Sequence, residues 1–536
     1  MKWSGRFEGY RMESLRRDVI SGIIVGIVAI PLAMSFAIAS GVKPQYGIYT
    51  TIIAGFLISL LGGSRYQIGG PTGAFIPILL AIVVQYGYEK LLIAGMLAGV
   101  LLVLMGIFKL GVLIRFIPRP VTIGFTAGIA VIIFSGQIPS FLGLRGIERH
   151  DDFMSNMGEI IAHLTTINIY SVLTAAVCLV IMLIMPKLLP KVPSSLLGLI
   201  VSTIVSVLFF QGKVTTIESA YEAIPSSLPM FTFPSISFQT AMELLQPALV
   251  IAMLGGIESL LSAVVADGMT GSRHNSNREL IGQGIANIAA PLFGGIPATG
   301  AIARTATNIK SGAASPLSGM IHGIAVLLIL LLFAPLASDI PLAGMAPILM
   351  VVAWNMSERK HALHMLRLKS SDSLIMGVTF LLTVLTNLTT AVEIGLLLAA
   401  IIFVYRMSTE LTVKAVLVSR DPQVSVISVE GPLFFGAANK FEELFENATA
   451  SKSNVTIINM RGVPFMDASG EHQLAQMIDR IRRDGGTVML AGTRQQPLRI
   501  MRASGLAMKI GEACIVDQPE EAVYAAFARL ESGNNN

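Results

Sequence analysis

The 536-residue sequence predicts an all-α polytopic membrane domain of about 14 helices, arranged as a 7+7 inverted repeat and followed by a small α/β domain. Composition carries the first part of that prediction. Hydrophobic residues make up 53% of the chain and charged residues 13%, with a mean hydropathy of +0.71, against roughly a quarter charged in a soluble domain. A recurrence at fixed separation carries the second part, and a change of period near residue 423 carries the third. The division expected is a cytoplasmic N-terminus over residues 1–18, a transmembrane domain over 19–407, a linker over 408–422 and a cytoplasmic domain over 423–536.

Residues 1–18 are basic and polar, and the apolar run after them is too long for a signal peptide, so this segment is expected to stay attached. A bilayer core of about 30 Å needs roughly 20 apolar residues in a straight helix. Windows of that kind begin near Val19, Leu91, Val121, Ile169, Ser194, Leu244, Pro316 and Ser373. Shorter pieces at residues 47–61, 71–86, 281–293, 301–309, 343–354 and 391–405 bring the tally to about fourteen. Irregular backbone at membrane depth is tolerated only where protein buries it or a cavity uses it, so short pieces interrupted by Gly and Pro point to a binding site. Basic residues orient the chain. Arg11, Arg16, Arg17, Arg115, Arg119, Lys187, Lys191, Arg359, Lys360, Arg367 and Lys369 fall on one side of such a topology, and the loop 211–240, with Glu218 and Glu222, falls on the other. Both termini are therefore expected in the cytoplasm.

Thr72-Gly73-Ala74 recurs as Thr299-Gly300-Ala301, and the same separation of 227 residues joins Ser35 to Ser262, Ala39 to Ala266, Gly41 to Gly268 and Gly55 to Gly282. An odd number of helices lies between the copies, so the second enters the membrane from the opposite side. Such an inverted repeat is the arrangement of transporters that work by alternating access.

Each Thr-Gly-Ala copy follows a Gly/Pro-rich stretch, Ile68-Gly69-Gly70-Pro71 or Gly294-Gly295-Ile296-Pro297, and each reads as a half-helix start. Two helix N-termini meeting near the midplane aim free N–H groups and positive dipole ends at one spot, which suits an anion. Arg304 stands one turn into the second half-helix, where a cation inside the membrane marks a functional site and would complete the anion site. Glu258, in Gly255-Gly256-Ile257-Glu258-Ser259-Leu260, reads as a proton carrier, with a lasting ion pair to Arg304 as the other reading. Phe36, five residues beyond Pro31, would close the pocket with an apolar face.

The net charge of +5 makes no case for nucleic acid. Cys178 and Cys514 lie far apart, without disulfide or metal-ligand spacing. The few histidines show no HExxH spacing and no GxxxxGK[ST] motif is present, so no enzyme, metal centre or cofactor is expected. The partners expected are a small inorganic or organic anion, protons and the lipid bilayer. A passive anion channel of the same build would have no use for Glu258.

Past Gln423, residues 424–429, 455–459 and 487–491 read as strands and residues 471–483 and 497–503 as helices. That alternation predicts the small α/β domain.

Ala29-Ile30-Pro31-Leu32-Ala33, Gly70-Pro71-Thr72 and residues 298–312 (ATGAIARTATNIKSG) resemble the SulP family of bacterial anion permeases, relatives of the sulfate and anion exchangers of solute carrier family 26 and of prestin. The resemblance covers essentially the whole chain. It implies a core domain of helices one to four and eight to eleven, a gate domain of the others, elevator-like movement between them, and a homodimer. Carried over by motif, the substrate site takes Phe36, Thr72, Ala301, Ala303 and Arg304, with Glu258 on the eighth helix; Gly73, Ala74 and Gly300 of the half-helix starts join the expected site, and Glu258 is expected to couple protons. Sodium-coupled bicarbonate members are similar but place Asp where Glu258 stands and Thr where Ile302 stands. Losing that hydroxyl removes an oxygen ligand of the kind a hard cation requires, so proton coupling is expected in place of sodium. Sulfate or a similar oxyanion is the substrate the resemblance implies; dicarboxylate or bicarbonate transport, anion exchange and passive conduction stay open. The element Phe465-Met466-Asp467-Ala468-Ser469-Gly470 resembles the STAS domain, a relative of anti-sigma-factor antagonists in which the serine at the position of Ser469 is phosphorylated. A phosphate suits a helix N-terminus and would make Ser469 regulatory, while Asp467 and Ser469 also suit an ordinary N-cap.

Overall fold

The computed structural model describes residues 6, 10–112, 118–150, 152–189, 192–368, 370–386, 388–417, 423–448 and 453–533. Arg115, Lys191 and Lys369 of the topology argument lie outside them. The chain divides into two compact units, Met1–Leu396 and Leu397–Asn536.

The helices at the predicted apolar segments are α1 (Met12–Ala39), α2 (Pro44–Leu61), α3 (Ile76–Tyr86), α4 (Tyr88–Ile107), α5 (Arg119–Gly136), α6 (Ile169–Leu188) and α7 (Ser194–Phe209) in the first half. The second half contains α8 (Leu245–Thr270), α9 (Ser276–Ala289), α10 (Ile302–Lys310), α11 (Leu317–Ser338), α12 (Leu342–Met356), α13 (Ser371–Leu385) and α14 (Leu388–Thr409). Among the described residues eight helices are long and apolar enough to cross a membrane. The short ones include α3 and α10, each preceded by a two-residue strand: β1 (Gly69–Gly70) and β2 (Thr299–Gly300).

Small residues decide which helices touch. A side-chain carbon built on Gly99 of α4 would sit 2.6 Å from the Gly284 carbonyl of α9, and one built on Gly284 would sit 2.5 Å from the Gly99 carbonyl. The two backbones therefore meet directly, the usual means of close helix packing where lipid supplies no hydrophobic drive. Two buried carboxylates tie down turns at helix ends. Asp18 of α1 accepts from the Ala314 and Ser315 N–H groups (2.6 and 3.1 Å) and from the Ser315 hydroxyl (2.6 Å), fixing the turn before α11. Glu279 of α9 accepts from the Gly63 and Ser64 N–H groups (2.7 and 2.9 Å), fixing the turn after α2.

The second unit is a five-stranded sheet in the order β3 (Thr412–Leu417), β4 (Val424–Glu430), β5 (Val455–Gly462), β6 (Thr487–Ala491) and β7 (Ile515–Val516). The first pair is antiparallel and the rest parallel. The helices α15 (Ala438–Ala448) and α16 (Ala468–Arg483) precede β6, and α17 (Gln495–Ser504), α18 (Leu506–Ile510) and α19 (Pro519–Gly533) follow it. The two-residue period of β5 feeds two cores: Ile458 and Met460 pack with Phe441, Phe445 and Leu474, while Val455 and Ile457 pack with Ala522 and Ala526. Covering both faces is what parallel strands require.

Gly99→Leu should overpack the α4–α9 crossing by about 1–3 kcal/mol and lower the apparent melting temperature in detergent. Gly377→Leu, where a side chain would meet nothing within 4 Å, should leave it unchanged; equal losses in both variants would contradict the packing argument.

Candidate functional site

β1 and β2 pair antiparallel, Gly69 opposite Gly300 and Gly70 opposite Thr299. The ladder extends by one bond, from the Ala301 N–H to the Ile68 carbonyl (2.8 Å). Buried hydroxyls take the N–H groups that the ladder leaves over: Thr305 accepts from the Ile68 N–H (3.0 Å) and Ser259 from the Gly300 N–H (3.0 Å). The broken backbone is thus satisfied within protein, as hydrocarbon surroundings demand.

From the two ends of this ladder the chain enters its half-helices. Residues Gly73–Phe75 form a tight turn that runs on into α3, with Thr72 as N-cap residue, and α10 starts after Ala301. Neither start has a side-chain cap among the described residues, so its leading N–H groups keep their capacity to bind an anion. The two Thr-Gly-Ala copies are not equivalent, which corrects the reading of both as half-helix starts. Thr72 precedes the first turn directly, whereas Thr299 and Gly300 belong to β2 and the helix begins only at Ile302. Arg304 accordingly stands in the first turn of α10, not one turn in.

Arg304 is 3% exposed. Its Nη2 donates to the Pro71 carbonyl oxygen, and its Nη1 lacks a hydrogen-bond partner among the described residues. The guanidinium approaches Gly70 closely, where a side-chain carbon would sit 2.5 Å from Nη1, and Gly70 adopts φ +152°, a conformation open to glycine. Glu258 accepts a hydrogen bond from the Thr72 hydroxyl (3.0 Å). No direct ion pair joins it to Arg304 within 4.0 Å among the described residues, so the lasting-pair reading gives way to a carboxylate linked to the first half-helix through Thr72.

Phe36 and Ala74 share one buried cluster, and a side-chain carbon on Gly73 would sit 3.6 Å from the Phe36 ring and 3.0 Å from the Met356 sulfur. Gly300 and Ala301 are engaged through their backbones in the ladder. Ala303 is exposed on α10. A cavity of about 500 Å³, lined by residues that include Ile76, Gln85, Ile133 and Glu243, reaches the Ile133 side chain that abuts Gly73. No group of three potential metal-ligating side chains occurs among the described residues. Ser259 and Thr305 carry no signal of their own in the sequence, because short hydroxyl residues in apolar helices are too common to single out.

In the second unit Asp467 alone caps α16, accepting from the Gly470 N–H (2.8 Å), and it also accepts from the Phe435 N–H (3.0 Å). Ser469 is exposed in the first turn and does not share the cap.

Two broken helices crossing beside a buried arginine are the centre of an anion-transporter fold in a multi-pass membrane protein. The chain belongs to the sulfate permease family, whose model matches residues 15–379, and residues 415–522 match the STAS domain. It is 55% identical to the putative sulfate transporter YvdB of Bacillus subtilis, over 97% of this chain and 99% of that protein. It is 29% identical to the bicarbonate transporter BicA of a Picosynechococcus strain, over 97% of each. The solved transmembrane domain of a cyanobacterial BicA matches with a TM-score of 0.64 at 29% identity, over 73% of this chain and 98% of that one. The murine Slc26a9 anion transporter in its inward-facing state matches the fold with a TM-score of 0.87 at 18% identity, over 97% and 93%.

Gly70→Ala should add about 1–3 kcal/mol of backbone strain and drive Arg304 off the Pro71 carbonyl. Anion uptake into proteoliposomes should fall at least about tenfold, while the protein still elutes as a folded species from gel filtration; uptake at the native rate would show that Arg304 does not depend on that close approach.

Proposed function

We propose that the chain is a secondary active transporter that takes up sulfate or a similar oxyanion together with protons. It would move α1 to α4 and α8 to α11 as an elevator against the remaining helices, as a homodimer in the bacterial plasma membrane with both termini cytoplasmic. One observation carries the reading: a buried arginine with an unpartnered terminal nitrogen lies beside two uncapped helix starts. Such a spot offers an anion one full positive charge and several N–H groups, and an arginine fork suits the oxygens of an oxyanion.

Thr72 supplies the link to the proton. While Glu258 is ionised it can only accept, and the Thr72 hydroxyl donates to it. Protonation turns the carboxyl into a donor and frees the Thr72 O–H to turn toward an anion at Gly73, one residue away. Proton arrival and anion retention then favour each other. The names of the relatives support sulfate first, with bicarbonate carried by the BicA likeness. Ser469, exposed at the start of α16, is available for a regulatory phosphate.

In proteoliposomes under an inward proton gradient, radiolabelled sulfate uptake should accelerate roughly tenfold. Glu258→Gln should remove that acceleration while sulfate still binds, and uptake indifferent to the gradient in both proteins would replace symport by exchange or conduction. Arg304→Ala should weaken sulfate binding about 10- to 100-fold, the range for a lost charged hydrogen bond; an unchanged Kd would take Arg304 out of the site. A panel of sulfate, bicarbonate, chloride and a dicarboxylate as competitors identifies the anion.

A further inference from the structure

A short helix, Arg359–Arg367, joins α12 to α13, and none of its residues is buried. Only Ser357 and Glu358 separate it from Met356, the last residue of α12, and Glu358 makes the bend with φ +42° and ψ +31°, a left-handed conformation rare for a glutamate. At the other end the Ser373 hydroxyl of α13 donates to the Met365 carbonyl (2.6 Å). Tethered this closely to two apolar helices, the segment lies at the membrane surface, on the side where the basic residues Arg11, Arg16 and Arg17 are expected.

Its sequence divides by face. With a turn of about 100° per residue, Ala362, Leu363, Met365 and Leu366 share one side and Lys360, His361, His364 and Arg367 the other. Ala362 and Met365 are half-buried against the protein, whereas Leu363, Leu366 and, just past the helix, Leu368 are each half exposed or more. Trp354, in the last turn of α12, is exposed as well. The Arg359 guanidinium stacks on its ring (4.4 Å to the centroid) and donates to its carbonyl oxygen (3.3 Å). The charge is lopsided: Arg359, Lys360 and Arg367 stand against Glu358, whose carboxylate lies 3.6 Å from the His361 Nδ1. A topology signal would need only the cations. It asks neither for a helix nor for leucines facing outward, and that pairing of basic and apolar faces is the build of a helix lying in a lipid interface.

We propose that this helix is a binding site for anionic phospholipid. Leu363, Leu366 and Leu368 enter the acyl boundary, the Trp354 ring sits at headgroup level, and Lys360 and Arg367 reach the lipid phosphates along with Arg359 on its indole. A zwitterionic lipid carries its own cation beside the phosphate and competes poorly. One cation near an anionic surface favours it by a factor of about five. The site is separate from the anion site and does not depend on what is transported.

The test uses the full-length protein with Trp3→Phe, which leaves Trp354 as the one tryptophan of the chain, in phosphatidylcholine vesicles containing a minor fraction of phosphatidylglycerol. Bromine on the acyl chains of one lipid or the other quenches tryptophan fluorescence on contact, so the ratio of quenching reads the relative affinity beside Trp354. Phosphatidylglycerol should be favoured at least about fivefold, and the preference should shrink as salt is raised. Lys360→Gln combined with Arg367→Gln leaves the Arg359 stacking in place and should abolish the preference, while Lys360→Arg combined with Arg367→Lys should keep it. Equal quenching by the two lipids in the parent protein, or a preference that survives the double glutamine variant, would overturn the proposal. So would a Trp354 shielded from both lipids, which would mark this face as covered by a second copy or another part of the chain. If the double variant does not fold, the two single glutamine variants take its place; each should lower the preference, and no change in either would overturn the proposal.

Discussion

Breaking two helices inside a membrane frees backbone N–H and C=O groups that lipid cannot satisfy, each costing about 1–3 kcal/mol if left buried and unpaired. The architecture of the membrane unit follows from meeting that demand. The strand pair satisfies part of it, and side chains from four helices satisfy much of the rest. Asn287 of α9 binds both the N–H and the carbonyl of Ala298 (2.8 Å each), Thr50 of α2 accepts from the Ile296 N–H (2.7 Å), and Ser259 of α8 and Thr305 of α10 take the N–H groups of Gly300 and Ile68. The crossing can form only with these helices packed around it. The same demand explains why α9, with Glu279, Gln283 and Asn287 all buried, is polar inside a membrane domain.

The two halves meet this demand unequally, and the inequality makes the site. The ladder takes Gly69 and Gly70, which precede the first Thr-Gly-Ala copy, but Thr299 and Gly300, which belong to the second. The Thr299 hydroxyl is consequently spent inside the fold, on Ser259 (2.7 Å) and the Gly255 carbonyl (3.1 Å). Thr72 keeps its hydroxyl at the helix start and reaches Glu258. A perfectly symmetric repeat would hold two identical half-sites; here one half brings the threonine and the other brings the arginine and, through α8, the carboxylate.

Much of this was legible in the sequence because hydropathy reports directly on membrane depth. The apolar segments, the shortness of α3 and α10, and the two charges Glu258 and Arg304 stand out against an apolar background. The strand pair did not, since a two-residue strand has no period and its partner is far away in the chain. Asp18 ends the polar N-terminal stretch of the sequence, yet α1 already includes it and buries it. β3 lies inside the expected linker, because TVKAVL offers too short an alternation beside the end of α14.

The distribution of polar and apolar contacts bears on movement. The polar contacts around the site join α1, α2, α8, α9, α10, α11 and the segment before α3: Glu258 with Thr72, Arg304 with Pro71, Ser21 with Asn308 (2.7 Å), Asn308 with Ser318 (2.9 Å) and Asp18 with Ser315. Where α5 and α12 approach Gly73 and Phe36, they present Ile129, Ile133, Leu349, Ala353 and Met356. Dispersion contacts are individually weak and exchange readily for one another, while a buried hydrogen bond broken in passing costs its full desolvation. At that wall the half-helix crossing, held by its own hydrogen bonds, can exchange apolar neighbours without unmaking the site. In the proposed elevator this division of contacts would keep the crossing intact through a turnover.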